Sequence, residues 1–318
     1  MALTLEAPAV DIGKAARAAR RPRRGRRLTG DGVASSVFLL PILAVFLVLF
    51  AVPVVQTVYY SFTDYKGLAP VVNWVGFDNY VQIFNDPSLL VGLGFTLTFA
   101  LTTTIAITAL AIPLAVVLNR KFMGRTFARS LFFFVGVPAQ AIIGLIWQYI
   151  FSPLKTGALN SFLVTLGLPS VPWLADSTLA QFCVIFVAVW AQVGWHATLY
   201  LAYLQAIPAD LYEQASIDGA SRRQQFWNIT MPELVPALAV SSFLLITGGL
   251  KIYDLAFALT GGGPGYATNT ITQQIIQRGL SQFDYGLGSA LAVLFTIACL
   301  VVVLLQIRAA TALTRRYS

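Results

Sequence analysis

Between Pro87 and Asn119 the chain runs for 33 residues without one charged side chain. As a helix that stretch is about 50 Å long, and almost every side chain on it would rather leave water. Six further charge-free runs occupy residues 32–63, 130–154, 177–209, 234–250, 255–277 and 285–307. A bilayer crossing takes roughly 20 apolar residues, so the runs predict a multi-pass membrane protein. Composition agrees: 11% of residues are charged, against about a quarter in soluble domains. A soluble enzyme, a secreted disulfide scaffold and a disordered tail protein are excluded. Cys183 and Cys299 lie in apolar runs and read as small buried hydrophobes rather than a bridge or a metal site.

The run at 255–277 differs from the others. Its middle, Thr260-Gly261-Gly262-Gly263-Pro264-Gly265, cannot form a lipid-facing helix, because freed backbone groups find no partner in hydrocarbon. It reads as a loop after a fifth helix. The expectation is an all-α integral membrane fold of six transmembrane helices, near 35–60, 90–118, 128–152, 179–205, 236–259 and 286–307. The expected divisions are a basic leader (1–32), a six-helix domain (33–310) and a short tail (311–318).

Charge gives the orientation. Of 21 lysines and arginines, eight (Lys14 to Arg27) precede the first helix. Arg120, Lys121, Arg125, Arg129, Arg222, Arg223, Arg308, Arg315 and Arg316 fall on the same side, making 17; only Lys66, Lys155 and Arg278 face the other. Such a bias predicts both termini in the cytoplasm, the leader being a membrane-surface anchor on lipid rather than a nucleic-acid arm.

Residues 206–236 are too long to be a mere connector. Pro208 opens a short helix over 209–217, Asp218-Gly219 ends it, and Ser221 caps a second one carrying Phe226, Trp227 and Ile229, closed by Met231-Pro232. The result is a hairpin with apolar residues on view, either a docking surface or an amphipathic pair lying on headgroups.

The segment Glu213-Gln214-Ala215-Ser216-Ile217-Asp218-Gly219-Ala220, followed by Phe226, Ile229 and Pro232, resembles the EAA loop of ABC-importer permeases, with Gln214 in place of an alanine and Met231 in place of a leucine. The segments 61–65, 75–80, 259–264 and 286–290 are similar to the first permease subunit of carbohydrate importers of the maltose and glycerol-3-phosphate type. The resemblance spans about residues 35–308 and implies a type I ABC-importer fold in a bacterial or archaeal inner membrane. It further implies a second EAA-bearing permease, two ATPase subunits and an extracytoplasmic solute-binding protein as partners. On that resemblance Glu213 pairs with basic groups of the ATPase, Asp218 and Gly219 fix the turn, and Leu211, Tyr212 and Ala215 fill the ATPase cleft.

The chain has no G-x-x-x-x-G-K-[ST] phosphate loop, so ATP and magnesium belong to the partner ATPase and no cofactor is expected on this chain. One histidine and no carboxylate cluster offer neither a metal site nor a catalytic array. An ion-gradient-driven secondary transporter or an integral membrane enzyme is the alternative, for which intramembrane carboxylates would be the signature. Lys251 and Asp254 are the only ionisable pair in an expected span; their spacing suits an internal ion pair on one helix face, the other reading being contact with substrate. Trp190, Gln192, Trp195, His196 and Tyr200 line the fourth helix. Their readings are sugar contact or packing, and for His196 hydrogen-bonded structure or a proton relay. The resemblance selects Trp195, eighteen positions before Glu213, and on the fifth helix Thr247, Gly248, Gly249 and Lys251; Gln192 completes the expected substrate set.

Overall fold

The computed structural model describes residues 30–67 and 71–317. The expected leader lies almost wholly outside them. The described residues are helical, with a single antiparallel bridge between Thr63 and Trp74, and divide into two units, up to Val55 and from Gln56. The first holds α1 (Gly30–Phe46), a π-helical turn (Leu47–Ala51) and the start of α2 (Val52–Tyr60). Together they carry an apolar segment, Val37–Tyr60, long enough to cross a membrane.

The second unit contains α3 (Asp78–Asn85), α4 (Pro87–Asn119), α5 (Arg125–Phe134), α6 (Gln140–Ile150), α7 (Ala158–Thr165) and α8 (Ser177–Ala206). After these come α9 (Ala209–Ile217), α10 (Arg222–Gln225), α11 (Met231–Glu233), α12 (Val235–Leu250), α13 (Asp254–Thr260), α14 (Ile271–Ile276) and α15 (Tyr285–Tyr317). The long helices start where the sequence supplies a carboxylate cap. Asp86 accepts from the Ser88 amide (2.9 Å) ahead of α4, and Asp176 from those of Thr178 and Leu179 (3.0 and 2.9 Å) ahead of α8.

Among the described residues four helices are long and apolar enough to span a bilayer: Val37–Tyr60, Pro87–Asn119, Ser177–Ala206 and Tyr285–Ala312. A fifth is added if Arg222–Glu233 and Val235–Leu250, bent by 62°, count as one. Two expected helices are broken. The stretch expected at 128–152 is α5 and α6, parted by a turn around Gly136 and Pro138, because proline disfavours helix in the residue before it. The stretch expected at 236–259 is α12 and α13. Behind Gly248 and Gly249 the helix tightens into i→i+3 bonds, Lys251 N–H to Gly248 O (3.2 Å) and Ile252 N–H to Gly249 O (3.3 Å), and stops. The tail expected from 311 is instead a continuation of α15 to Tyr317.

The core centres on α4, flanked by α8 and α12. In lipid, helices associate by close packing rather than by escape from water, and the buried positions reflect it: Ala111, Ala115, Ala191, Ala197 and Ala237 are fully enclosed. At Gly194 any Cβ would collide with the Phe132 carbonyl, which is how α5 lies against α8. Two threonines on α4 satisfy themselves locally: the Thr103 hydroxyl donates to Phe99 O (2.7 Å) and that of Thr104 to Ala100 O (2.6 Å). Thr96 differs, since its oxygen accepts from the Ile271 amide (3.0 Å).

The glycine-rich segment after α13 is a folded loop. Gly261 ends α13 with φ +63°, and Thr268, fully buried, donates its hydroxyl to Gly263 O (2.8 Å). The loop is held to α8 by Gln181, whose amide donates to Ala267 O (2.7 Å), and to the start of α4 by Gln274, which donates to Ser88 O (2.6 Å). Arg278 adds an ion pair to Asp86 at 2.8 Å, the sole one among the described residues.

Candidate solute cavity and coupling hairpin

A cavity of about 500 Å³ opens where α4, α8 and the break between α12 and α13 meet. α4 contributes Phe99, Thr103 and Ile107. α8 contributes Gln192, Trp195 and His196, which recur at helical spacing and so share a face. The helix break supplies Gly248, Gly249, Lys251, Tyr253 and Asp254. Five of the six expected substrate residues, Gln192, Trp195, Gly248, Gly249 and Lys251, therefore line one cavity. Thr247 does not line the cavity: it is half-buried, and its hydroxyl donates to Phe243 O (2.6 Å).

Trp195 is 38% exposed and meets the His196 ring edge-on, with centroids 4.7 Å apart. His196 is buried, its Nδ1 2.8 Å from Ser241 Oγ, so it ties α8 to α12. That is the structural reading of the histidine. Lys251 and Asp254 make no ion pair. Their spacing joins them only on an unbroken helix, and here Lys251 caps the end of α12 while Asp254 begins α13. The break turns both toward the cavity. Sequence reasoning missed Gln140 and Tyr253 as lining residues. Both sit at breaks inside stretches read as continuous helix, and Pro138 and the Gly248-Gly249 pair were the available signals.

Indole, amide, hydroxyl, ammonium and carboxylate groups around an apolar floor suit the binding of a polar solute. Cys183 is buried, Cys299 is half-buried, and neither is bridged. Among the described residues no three His, Cys, Asp or Glu side chains gather as a metal site would require.

At the other end of α8 stands the hairpin. Pro208 precedes α9, and the helix closes with paired bonds, Ala220 N–H to Ala215 O (2.8 Å) and Gly219 N–H to Ser216 O (3.1 Å). This Schellman pattern needs the left-handed conformation that Gly219 adopts, φ +78°. Ser221 and Gln224 then form a reciprocal capping box. The second arm does not stop at Met231-Pro232; it passes through a π-helical turn (Phe226–Thr230) and α11 before bending into α12.

Leu211, Glu213, Asp218 and Gly219 are exposed, whereas Tyr212 and Ala215 are half-buried. Tyr212 turns toward the second arm, its hydroxyl 3.0 Å from Thr230 Oγ1. Ile217 is 85% exposed and Trp227 58%. Apolar side chains held out in this way mark a contact surface.

A multi-pass helical protein with a solute-sized cavity and a projecting hairpin has the build of a permease. Residues 107–318 match the family model for the binding-protein-dependent transport system inner membrane component, and the chain belongs to that family of ABC-transporter permease subunits. It is 33% identical to the probable ABC transporter permease protein YurN of Bacillus subtilis (strain 168) over 276 residues, 86% of this chain and 94% of that one. It is 34% identical to the multiple sugar-binding transport system permease protein MsmF of Streptococcus mutans over 275 residues, 85% of this chain and 93% of that one. In fold it is similar to a chain of a bacterial ABC transporter involved in the import of the acidic polysaccharide alginate, with TM-score 0.78, 24% identity, and 88% and 96% of the two chains covered.

Proposed function

We propose that this chain is one of two permease subunits of an ATP-driven carbohydrate importer, and that the 500 Å³ cavity is its part of the sugar pathway. The observation that carries this reading is the meeting of Gln192, Trp195, Gly248, Gly249 and Lys251 around one cavity. An indole face suits the C–H surface of a sugar ring, and amide, hydroxyl and ammonium groups suit its hydroxyls. The sugar-named relative supports the cargo class.

In this reading six segments cross the membrane, the broken pairs α5–α6 and α12–α13 each making one crossing at depths where protein rather than lipid surrounds the break. Both termini are cytoplasmic, the basic leader (1–32) lies along the inner surface, and the 206–236 hairpin faces the cytoplasm. There α9 docks into a cleft of one of two ATPase subunits, which hold ATP and magnesium. Leu211, Tyr212 and Ala215 supply the apolar contact, Glu213 the charge, and Asp218 and Gly219 the fixed turn. Closure of the ATPase dimer moves the hairpin and, through the bent junction with α12, the cavity wall. The cavity then opens outward to take sugar from an extracytoplasmic binding protein, and inward after hydrolysis.

The test is purification of the tagged chain from its native membrane in mild detergent, with mass spectrometry of what accompanies it. Stoichiometric recovery of a P-loop ATPase and a second EAA-bearing permease is expected, and the reconstituted set should take up a sugar only with ATP and the binding protein. Uptake that persists without the ATPase would overturn the proposal.

A further inference from the structure

A second cavity of about 510 Å³ lies on the far side of Tyr253, the one residue that lines both. Its walls come from α13, the glycine loop and the turn after α14. Three aromatic rings face it. Tyr253 and Phe257 are stacked, centroids 5.3 Å apart and 16° from parallel, and Tyr266 stands across from them on the loop. Phe257 and Tyr266 are about half exposed, which leaves ring surface uncovered.

Tyr266 holds φ +66°, a conformation an aromatic residue adopts only when its surroundings impose it, and such residues gather at ligand sites. Gly261 and Gly265 face open space where a side chain would stand. Polar side chains line the cavity beside the rings, among them the exposed Gln277 and Ser281. Behind them the side-chain oxygens of Asn269 and Gln273 are buried and unpaired. Unpaired acceptors favour whatever ligand brings donors. Among the described residues that line the cavity none is charged, unlike the first cavity with Lys251 and Asp254.

Resting on the carbohydrate reading above, we infer that this cavity is a second sugar subsite, a vestibule for a neutral polyhydroxylated ring held against Tyr253, Phe257 and Tyr266. In the proposed orientation it opens on the external side. A ring leaving the binding protein settles there first, and Tyr253 forms the partition it passes on its way to Trp195.

The experiment is saturation-transfer NMR on the whole importer in nanodiscs, with maltotetraose as the probe. A Trp195→Ala background removes the ring of the first cavity. Transfer to the probe's C–H protons is expected to persist there and to fall at least threefold on adding Phe257→Ala and Tyr266→Ala. Tyr266→Phe should retain it. Gel filtration confirms that each variant assembles; should Phe257→Ala not, Tyr266→Ala alone carries the comparison. Unchanged transfer in the ring-deleted variants overturns the subsite, as does absence of transfer from an importer that takes up sugar. An importer with neither transfer nor uptake of any sugar overturns the carbohydrate reading itself, and the subsite with it.

Discussion

Gly249 on α12 lies against Ala100 on α4 so closely that a Cβ built on it would stand 2.8 Å from the Ala100 Cα. Its neighbour Gly248 is the opposite case, with nothing within 4 Å of the same construction. Two adjacent glycines of the expected substrate set therefore do different things. One brings the helices together, and the other leaves open space in the cavity.

Gly249→Val should destabilise the permease by about 1–3 kcal/mol, the usual cost of overpacking. The measurement is the melting temperature of the purified complex, with loss of assembled material on gel filtration.

Gly248→Val should assemble like the parent and fail later. Its methyls occupy the cavity, so the KM for sugar uptake in proteoliposomes should rise about tenfold, equivalent to about 1.4 kcal/mol. Equal melting and unchanged KM would remove Gly248 from the pathway.

Lys251→Met should leave the stability within about 0.5 kcal/mol of the parent, because no partner carboxylate is stranded. Had Lys251 and Asp254 been paired in a buried site, breaking the pair would cost roughly 3–5 kcal/mol. Thermal unfolding separates the two outcomes.

Gly219→Pro should dissociate coupling from folding of the membrane part. Proline cannot take φ +78°, so the α9 terminus must open while the buried bundle is untouched. Reduced ATPase co-purification, or ATP hydrolysis without uptake, is expected. Normal uptake would rule out the docking role.

The Asp86–Arg278 pair sets a pH dependence. The hydroxyl and amide of Ser88 and the guanidinium of Arg278 hold the Asp86 carboxyl below its ordinary value of 3.8, against the opposing effect of partial burial. The stabilisation is thus complete above pH 3.8 and disappears as pH falls below it through the folded-state value. Being partly exposed, the pair contributes about 0–1 kcal/mol. The melting difference between parent and Asp86→Asn should be present at pH 7 and should shrink below pH 3.8.

Local backbone chemistry was the most legible part of the sequence. Pro208 fixes its own φ, Gly219 permits the left-handed turn that other residues resist, and Ser221 is a preferred cap, so the bounds of α9 and its capped successor follow from residue type. The glycine loop was equally plain as a turn. Continuity was not. Hydrophobicity measures where a segment is comfortable, not whether it is one helix, so α5–α6 and α12–α13 read as single rods. The errors at the cavity descend from that: a rod pairs Lys251 with Asp254 and hides Gln140 and Tyr253. The resemblance marks a stretch of the fifth helix that includes Thr247, but one step along a helix turns a side chain by about 100°, so Thr247 and Gly248 face different ways. The inward turn of Tyr212 depends on Thr230, eighteen residues away, which no local pattern reports.

The threonines of α4 have a mechanical consequence. Thr103 and Thr104 spend their hydroxyl hydrogens on their own helix, so a neighbour sliding past them breaks no hydrogen bond there. Thr96 grips the Ile271 amide beyond its helix and resists such motion. Friction along α4 is therefore uneven, low at the middle and high toward the Pro87 end. A force applied at the opposite end would swing the bundle about the latched one, as a door turns on the side that carries its hinge.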